Sequence, residues 1–199
     1  MSSEIKYKIF SENLRHPFYV LDDPAGNRLF FSRHNWTDCR LIMNNQDLVK
    51  IDVTKSQPLT IALNFAFKTS LDNIVFSVPN PNKFKVKGSY YDNKLKEINW
   101  KWKTSGPWST KFTLIDKKNK GKELAKIEDF TLGKGLDLKT ELTGSITISE
   151  EVPSEFHNLI IVSGCLVFKE MQELSTYKLT TFNEMEFASS GVNVLFVTN

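Results

Sequence analysis

Ten consecutive residues, Leu159 to Phe168, include only two that are not strongly apolar, Ser163 and Gly164. They sit inside the stretch Glu155-Phe156-His157-Asn158 to Lys169-Glu170-Met171. On an α-helix such a run leaves no polar face, so the helix has to be buried all round. It is too short for a membrane span, which needs about 20 apolar residues. Ser154 suits an N-cap and Glu155 a first helical turn. Ser163 and Gly164 are small enough to let a surrounding wall come close. The competing local reading is a buried strand, because Ile160-Ile161-Val162 is β-branched. Strands can surround a helix without a polar face only by curling round it. A closed barrel threaded by a helix satisfies both demands, and closure removes strand edges.

The chain before this run supplies the wall. Short apolar runs broken by turn formers read as strands, about twelve of them between residues 5 and 149. Phe18-Tyr19-Val20-Leu21 and Arg28-Leu29-Phe30-Phe31 flank the turn Asp22 to Asn27. Leu41-Ile42-Met43 and Leu48-Val49-Lys50-Ile51 flank Asn44 to Asp47, and Phe84 to Lys87 and Leu95 to Ile98 flank Asp92-Asn93. The expected fold is therefore mainly β (α+β): a closed, roughly twelve-stranded antiparallel barrel around a buried C-terminal helix at about 154–172. A chain of 199 residues suits one domain. Its core would run from about 6 to 172, with 173–199 as an extension. The run Val192 to Val197 in that extension is strand-like and needs covering or pairing.

The formal net charge of +3 conceals a strong asymmetry. Residues 83–126 hold thirteen lysines and four acids, whereas residues 127–199 hold four lysines and eleven acids. A basic middle segment of this kind suggests an anionic partner: phosphates, nucleic acid or an anionic membrane. The bland alternative is that the lysines fill solvated strand faces and the acidic third neutralises them in space.

The sharpest candidate is Lys101-Trp102-Lys103. Alternate residues of a strand share a face, so the two ammonium groups stand about 7 Å apart on one side. That spacing can grip two phosphates of one headgroup, or neighbouring anionic lipids. Lys83, Lys85 and Lys87 repeat the alternation, with Phe84 and Val86 on the other face, as any half-buried strand also would. Lys117-Lys118-Asn119-Lys120-Gly121-Lys122 reads as a hairpin loop that is either solubilising or membrane-facing. Trp102, Trp108 and Tyr90-Tyr91 suit a lipid interface or, better, core packing.

Three places in the chain resemble the tubby C-terminal domain-like superfamily, which includes tubby proteins, LURP-one-related proteins and phospholipid scramblases. The hairpin Phe18 to Phe31 is similar to the opening of LURP-one-related domains. Ser109-Thr110-Lys111-Phe112-Thr113-Leu114-Ile115-Asp116 is similar to the tubby "GTKFTVYD" stretch. The apolar helix falls where the family keeps its central helix. The chain lacks the long signature of true tubby proteins, so a divergent, LURP-one-like member fits better. The resemblance implies a non-enzymatic module that docks on anionic phospholipid or phosphoinositide headgroups. Tubby proteins carry a Lys-x-Arg pair before the "TKF" strand. Lys101 and Lys103 fall in the corresponding place, with about one extra residue in the loop. Lys in place of Arg loses the bidentate fork, which broadens or weakens phosphate recognition. Lys83, Lys85, Lys87 and Lys111 would add field.

Other classes are less well served. No zinc-finger or RNA-recognition signature is present, and no Arg occurs in residues 83–126, so nucleic acid is a weaker partner than lipid. A protein-interaction scaffold is the main alternative; a scramblase-like activity would expect a lipid anchor or a terminal span. No Ser elbow, kinase set or Walker loop supports catalysis, and Leu132-Gly133-Lys134-Gly135 reads as a turn. His16, His34 and His157 lie far apart, with no metal spacing near Cys39 or Cys165, so no metal and no cofactor are expected. His157 should cap or pack at the start of the helix. Two cysteines and an N-terminus without an apolar core predict a reducing, cytoplasmic setting, with peripheral membrane contact and an idle sequon at Asn35-Trp36-Thr37.

Overall fold

Apolar runs of β-preferring residues, cut by Asn, Asp, Gly and Pro, become antiparallel strands in the computed structural model. It describes residues 4–13, 18–35, 38–44, 46–55, 63–68, 74–80, 83–92, 94–104, 106, 109–128 and 141–171. Side chains of residues 50–83, Lys83 included, lie outside that description, as do the strand-like run Val192 to Val197 and the rest of 173–199. The described strands are β1 (Glu4–Asn13), β2 (Phe18–Asp22), β3 (Arg28–Asn35), β4 (Asp38–Met43), β5 (Gln46–Lys55) and β6 (Leu63–Lys68). They continue with β7 (Ile74–Asn80), β8 (Lys83–Asp92), β9 (Lys94–Thr104), β10 (Phe112–Asp116), β11 (Lys122–Glu128) and β12 (Glu141–Ser149). The described residues are thus mainly β, and among them one α-helix, α1, follows the strands over residues 157–171.

Each strand pairs with the next along the chain, from the β1–β2 ladder through to β11–β12. In addition β1 pairs with β12, in a ladder running from Glu4 opposite Ser149 to Ser11 opposite Glu141. The first hairpin closes as its turn residues dictate. The Asp23 carboxylate accepts the Asn27 backbone N–H at 2.7 Å and the Asn27 side-chain amide at 2.8 Å. These bonds from a turn residue's side chain offer the backbone a partner that strand pairing does not.

The core is the inward face of these strands together with α1. Tyr7 and Ile9 (β1), Tyr19 and Leu21 (β2), Leu29 and Phe31 (β3), Leu41 (β4) and Val49 (β5) contribute from one side. Phe84, Val86, Ile98, Trp100, Trp102, Phe112, Leu114, Ile127, Ile146 and Ile148 contribute from β8 to β12. Every residue from Leu159 to Phe168 is buried. Helix and strand compete for Ile160-Ile161-Val162, and magnitudes decide. Three β-branched residues cost a helix at most about 2 kcal/mol relative to alanine. Burying each large apolar side chain of α1 contributes roughly 1.5–3 kcal/mol. A helix buries them on every side at once; a strand offers only two faces.

The helix begins differently from the sequence expectation. Ser154 does not cap it through its hydroxyl. Residues Ser154–Phe156 form a 3-10 turn behind Pro153, with no side-chain cap bond. Proline suits this place because it has no N–H to leave unsatisfied. His157 packs at the junction as expected, its Nε2–H donating to the Val152 carbonyl at 3.1 Å.

Two small residues let the wall approach α1. The Trp102 indole Nε1–H donates to Ser163 Oγ at 3.1 Å, and Ser163 Oγ donates to the Ile160 carbonyl at 2.9 Å. One hydroxyl therefore joins β9 to the helix and satisfies a buried indole. Replacing Ser163 by Ala strands that indole N–H, a buried donor whose loss of partner costs about 1–3 kcal/mol. Chemical denaturation should show a lower midpoint with an unchanged slope; an unchanged midpoint would mean that the bond contributes nothing.

Candidate anion-binding face

The outer face of β8 and β9 follows from what their inner face buries. Phe84 and Val86 on β8 and Trp100 and Trp102 on β9 are buried in the core. Strand alternation then turns Lys85, Lys87, Lys101 and Lys103 outward. Lys85 and Lys101 are half-buried, and Lys87 and Lys103 are exposed. The β8–β9 register sets Lys85 directly opposite Lys101, while Lys87 faces Asn99. Side chains so paired stand about 5 Å apart at Cβ, and like charges placed this way repel.

Across β10 the register continues from Lys103 to Thr113, then to Lys126 on β11, Thr147 on β12 and Lys6 on β1. Three lysines therefore stand in one row over five strands, about 10 Å apart at a strand spacing near 4.8 Å. Lys111 lies exposed one residue before β10, on the same alternation as Thr113. Among the described residues, none of Lys85, Lys87, Lys101, Lys103 or Lys111 forms a salt bridge. Lys126 is different: its ammonium lies 2.8 Å from Glu123 Oε1. That hydrogen bond, with the charges of Glu123, Glu4 and Glu128, raises its pKa above the usual lysine value.

The structure sorts the sequence candidates. It brings Lys85, Lys87, Lys101 and Lys103 to one outer face with Lys111 nearby. Lys83 continues β8, but its side chain lies outside the described residues. The lysine-rich loop 117–122 does not join this basic patch as a free cluster. Lys118 pairs with Glu97, and Lys122 pairs with Glu151 at 2.6 Å. Those hydrogen bonds and charges hold both carboxyls below the ordinary glutamate range. Trp102 is fully buried and Tyr90 packs its ring against Phe156 at 4.8 Å between centroids, so both serve the core. Trp108, the Tyr91 side chain, His16, the side chains of His34 and Cys39, and Leu132 to Gly135 lie outside the described residues. Cys165 is buried and is not part of a disulfide.

Sequence reasoning missed Lys6 and Lys126 as members of the basic row. No local pattern could have found them, because the row exists only through the pairing of β1 with β12 and of β10 with β11. No helix of the described residues is long and apolar enough to cross a membrane, which leaves membrane-crossing strands unaddressed. No group of three His, Cys, Asp or Glu among the described residues could hold a metal ion. No family model matches the chain, and neither a curated protein nor a solved structure is detectably similar to it.

Proposed function

We propose that this chain is a non-enzymatic, tubby-like binding module that docks on anionic phospholipid headgroups, phosphoinositides included, at the cytoplasmic face of a membrane. The observation that carries the reading is the pairing of Lys85 opposite Lys101 on the outer face, with no salt bridge to a carboxylate for either among the described residues. Two ammonium groups held side by side gain most from an anion that bridges them. Lys101 and Lys103 are the primary phosphate contacts, and Lys85, Lys87, Lys83 and Lys111 add field. The scaffold in this reading is a closed barrel round α1; the pairing of β1 with both β2 and β12 supports it. Base stacking on this face has less support, because Trp100 and Trp102 are buried on the inner side.

Vesicle flotation tests the proposal. Each lysine near an anionic surface contributes about 1 kcal/mol, so Lys101→Ala with Lys103→Ala should weaken binding about thirtyfold. Adding Lys85→Ala should weaken it further, and raised salt should weaken the parent protein. Binding that is indifferent to phosphoinositide content and to these substitutions overturns the reading. A stable protein partner captured by a chain that floats with no vesicle would favour the scaffold alternative.

A further inference from the structure

The end of the sheet at which α1 begins carries a cleft of 210 Å³. Its wall is aromatic. Phe156 stands edge-on to Trp100, with centroids 5.5 Å apart at 82°, and edge-on to Tyr90, at 4.8 Å and 80°. Three carboxylates also line it, those of Glu97, Asp116 and Glu151. Two of them are already neutralised, Glu97 by Lys118 and Glu151 by Lys122. Asp116 is not. It lies opposite Trp100 in the β9–β10 register. Its Oδ1 accepts the Lys118 backbone N–H at 2.9 Å, and its second oxygen accepts no hydrogen bond among the described residues.

An aromatic wall beside an uncancelled carboxylate is complementary to one kind of ligand: a cation that carries apolar substituents. The ring faces attract the charge through their quadrupoles, and the alkyl groups bury against them. One ring of the cluster already takes a cation, since Lys96 Nζ lies 5.9 Å from the Tyr90 centroid. The volume falls below the roughly 300–1,000 Å³ of sites for drug-sized ligands, so the guest is small. We infer that this cleft binds a small alkylammonium group of the choline class, with Asp116 as its counter-ion and Trp100 and Tyr90 as its walls. The site is separate from the lysine face and does not depend on its function.

Titration with choline, followed by tryptophan fluorescence and calorimetry on the full chain, tests this. The control ligand is the neutral carbon isostere, in which a tert-butyl group replaces trimethylammonium. Choline should bind saturably and the isostere at least tenfold more weakly. Asp116→Asn keeps an acceptor for the Lys118 N–H but removes the charge, so it should weaken choline at least tenfold and leave the isostere unchanged. Tyr90→Leu should weaken choline while leaving vesicle flotation as it was. Equal affinity for the two ligands, choline binding that survives Asp116→Asn, or no binding below about 10 mM each overturns the inference.

Discussion

Trp102→Ala should destabilise the protein by about 3–5 kcal/mol, the usual cost of emptying a buried aromatic site. Trp102 is among the largest fully buried side chains and has no exposed surface. It packs from β9 against the helix, and its indole N–H is bonded to Ser163. Removing it opens a cavity that neither a hydrogen-bonded strand nor a helix buried on every side can collapse into. A domain with a total stability of about 5–15 kcal/mol would be left close to unfolding. Trp102→Phe keeps a ring in the site while it removes the bond donor and part of the packing. It should cost at least as much as Ser163→Ala, and the two changes together should cost less than their sum, because they share one bond. Urea denaturation followed by circular dichroism measures all four proteins; a loss below about 1 kcal/mol for Trp102→Ala would contradict its place at this joint.

Gly164→Val should destabilise by about 3 kcal/mol, at the upper end of what overpacking costs. Even the first added carbon would lie 2.5 Å from Ile146 Cδ1 and 3.3 Å from Ile146 Cγ1, while Ile127 Cδ1 waits at 3.7 Å. Ile146 and Ile127 are fully buried, so neither can swing into solvent. The helix therefore touches β11 and β12 through its one residue without a side chain. Gly164→Ala isolates that contact. In an open helix the change would stabilise by up to about 1 kcal/mol; here the overlap should reverse the sign. Ile146→Val deletes the offending Cδ1, so the pair Gly164→Ala with Ile146→Val should recover most of what Gly164→Ala loses. If Gly164→Ala is stabilising by itself, the wall is looser at this point than the distance implies. Gly144 has the reciprocal position on β12, where an added carbon would meet the Phe168 ring at 2.9 Å and the Glu128 carbonyl at 3.0 Å.

Much of the architecture was readable because it follows from local patterns. The alternation around Phe84, Val86, Trp100 and Trp102 named inner and outer faces, since side chains on a strand have a period of two. The run Leu159 to Phe168 named the buried helix, because a helix with no polar face has no stable place at a surface. The helix start was less legible. Ser154 has the chemistry of a cap, but Pro153 beside it favours a tighter first turn, and which of the two wins depends on how Val152 and His157 pack.

The candidate face was legible only in part. Lys101 and Lys103 share a face by alternation, and so do Lys85 and Lys87, and both facts are properties of single strands. That Lys85 stands opposite Lys101 depends on the β8–β9 register. That Lys6 joins Lys126 and Lys103 depends on β1 meeting β12, across more than a hundred residues of chain. The fate of the lysine-rich loop also needed the fold, because Glu97 and Glu151 reach it from distant points in sequence. The same holds for the cleft, whose Asp116, Trp100, Tyr90 and Phe156 come from three strands and the turn before α1.

The sequence by itself therefore determined which segments are strands, which segment is a buried helix, and which side of each strand is wet. Those properties are set by neighbours two to four residues apart. The tertiary structure alone decided which lysines meet, which are cancelled by acids, and where aromatic rings and a carboxylate share a cleft. Electrostatic interaction weakens with distance through space, and distance through space is fixed by register and strand order rather than by separation along the chain.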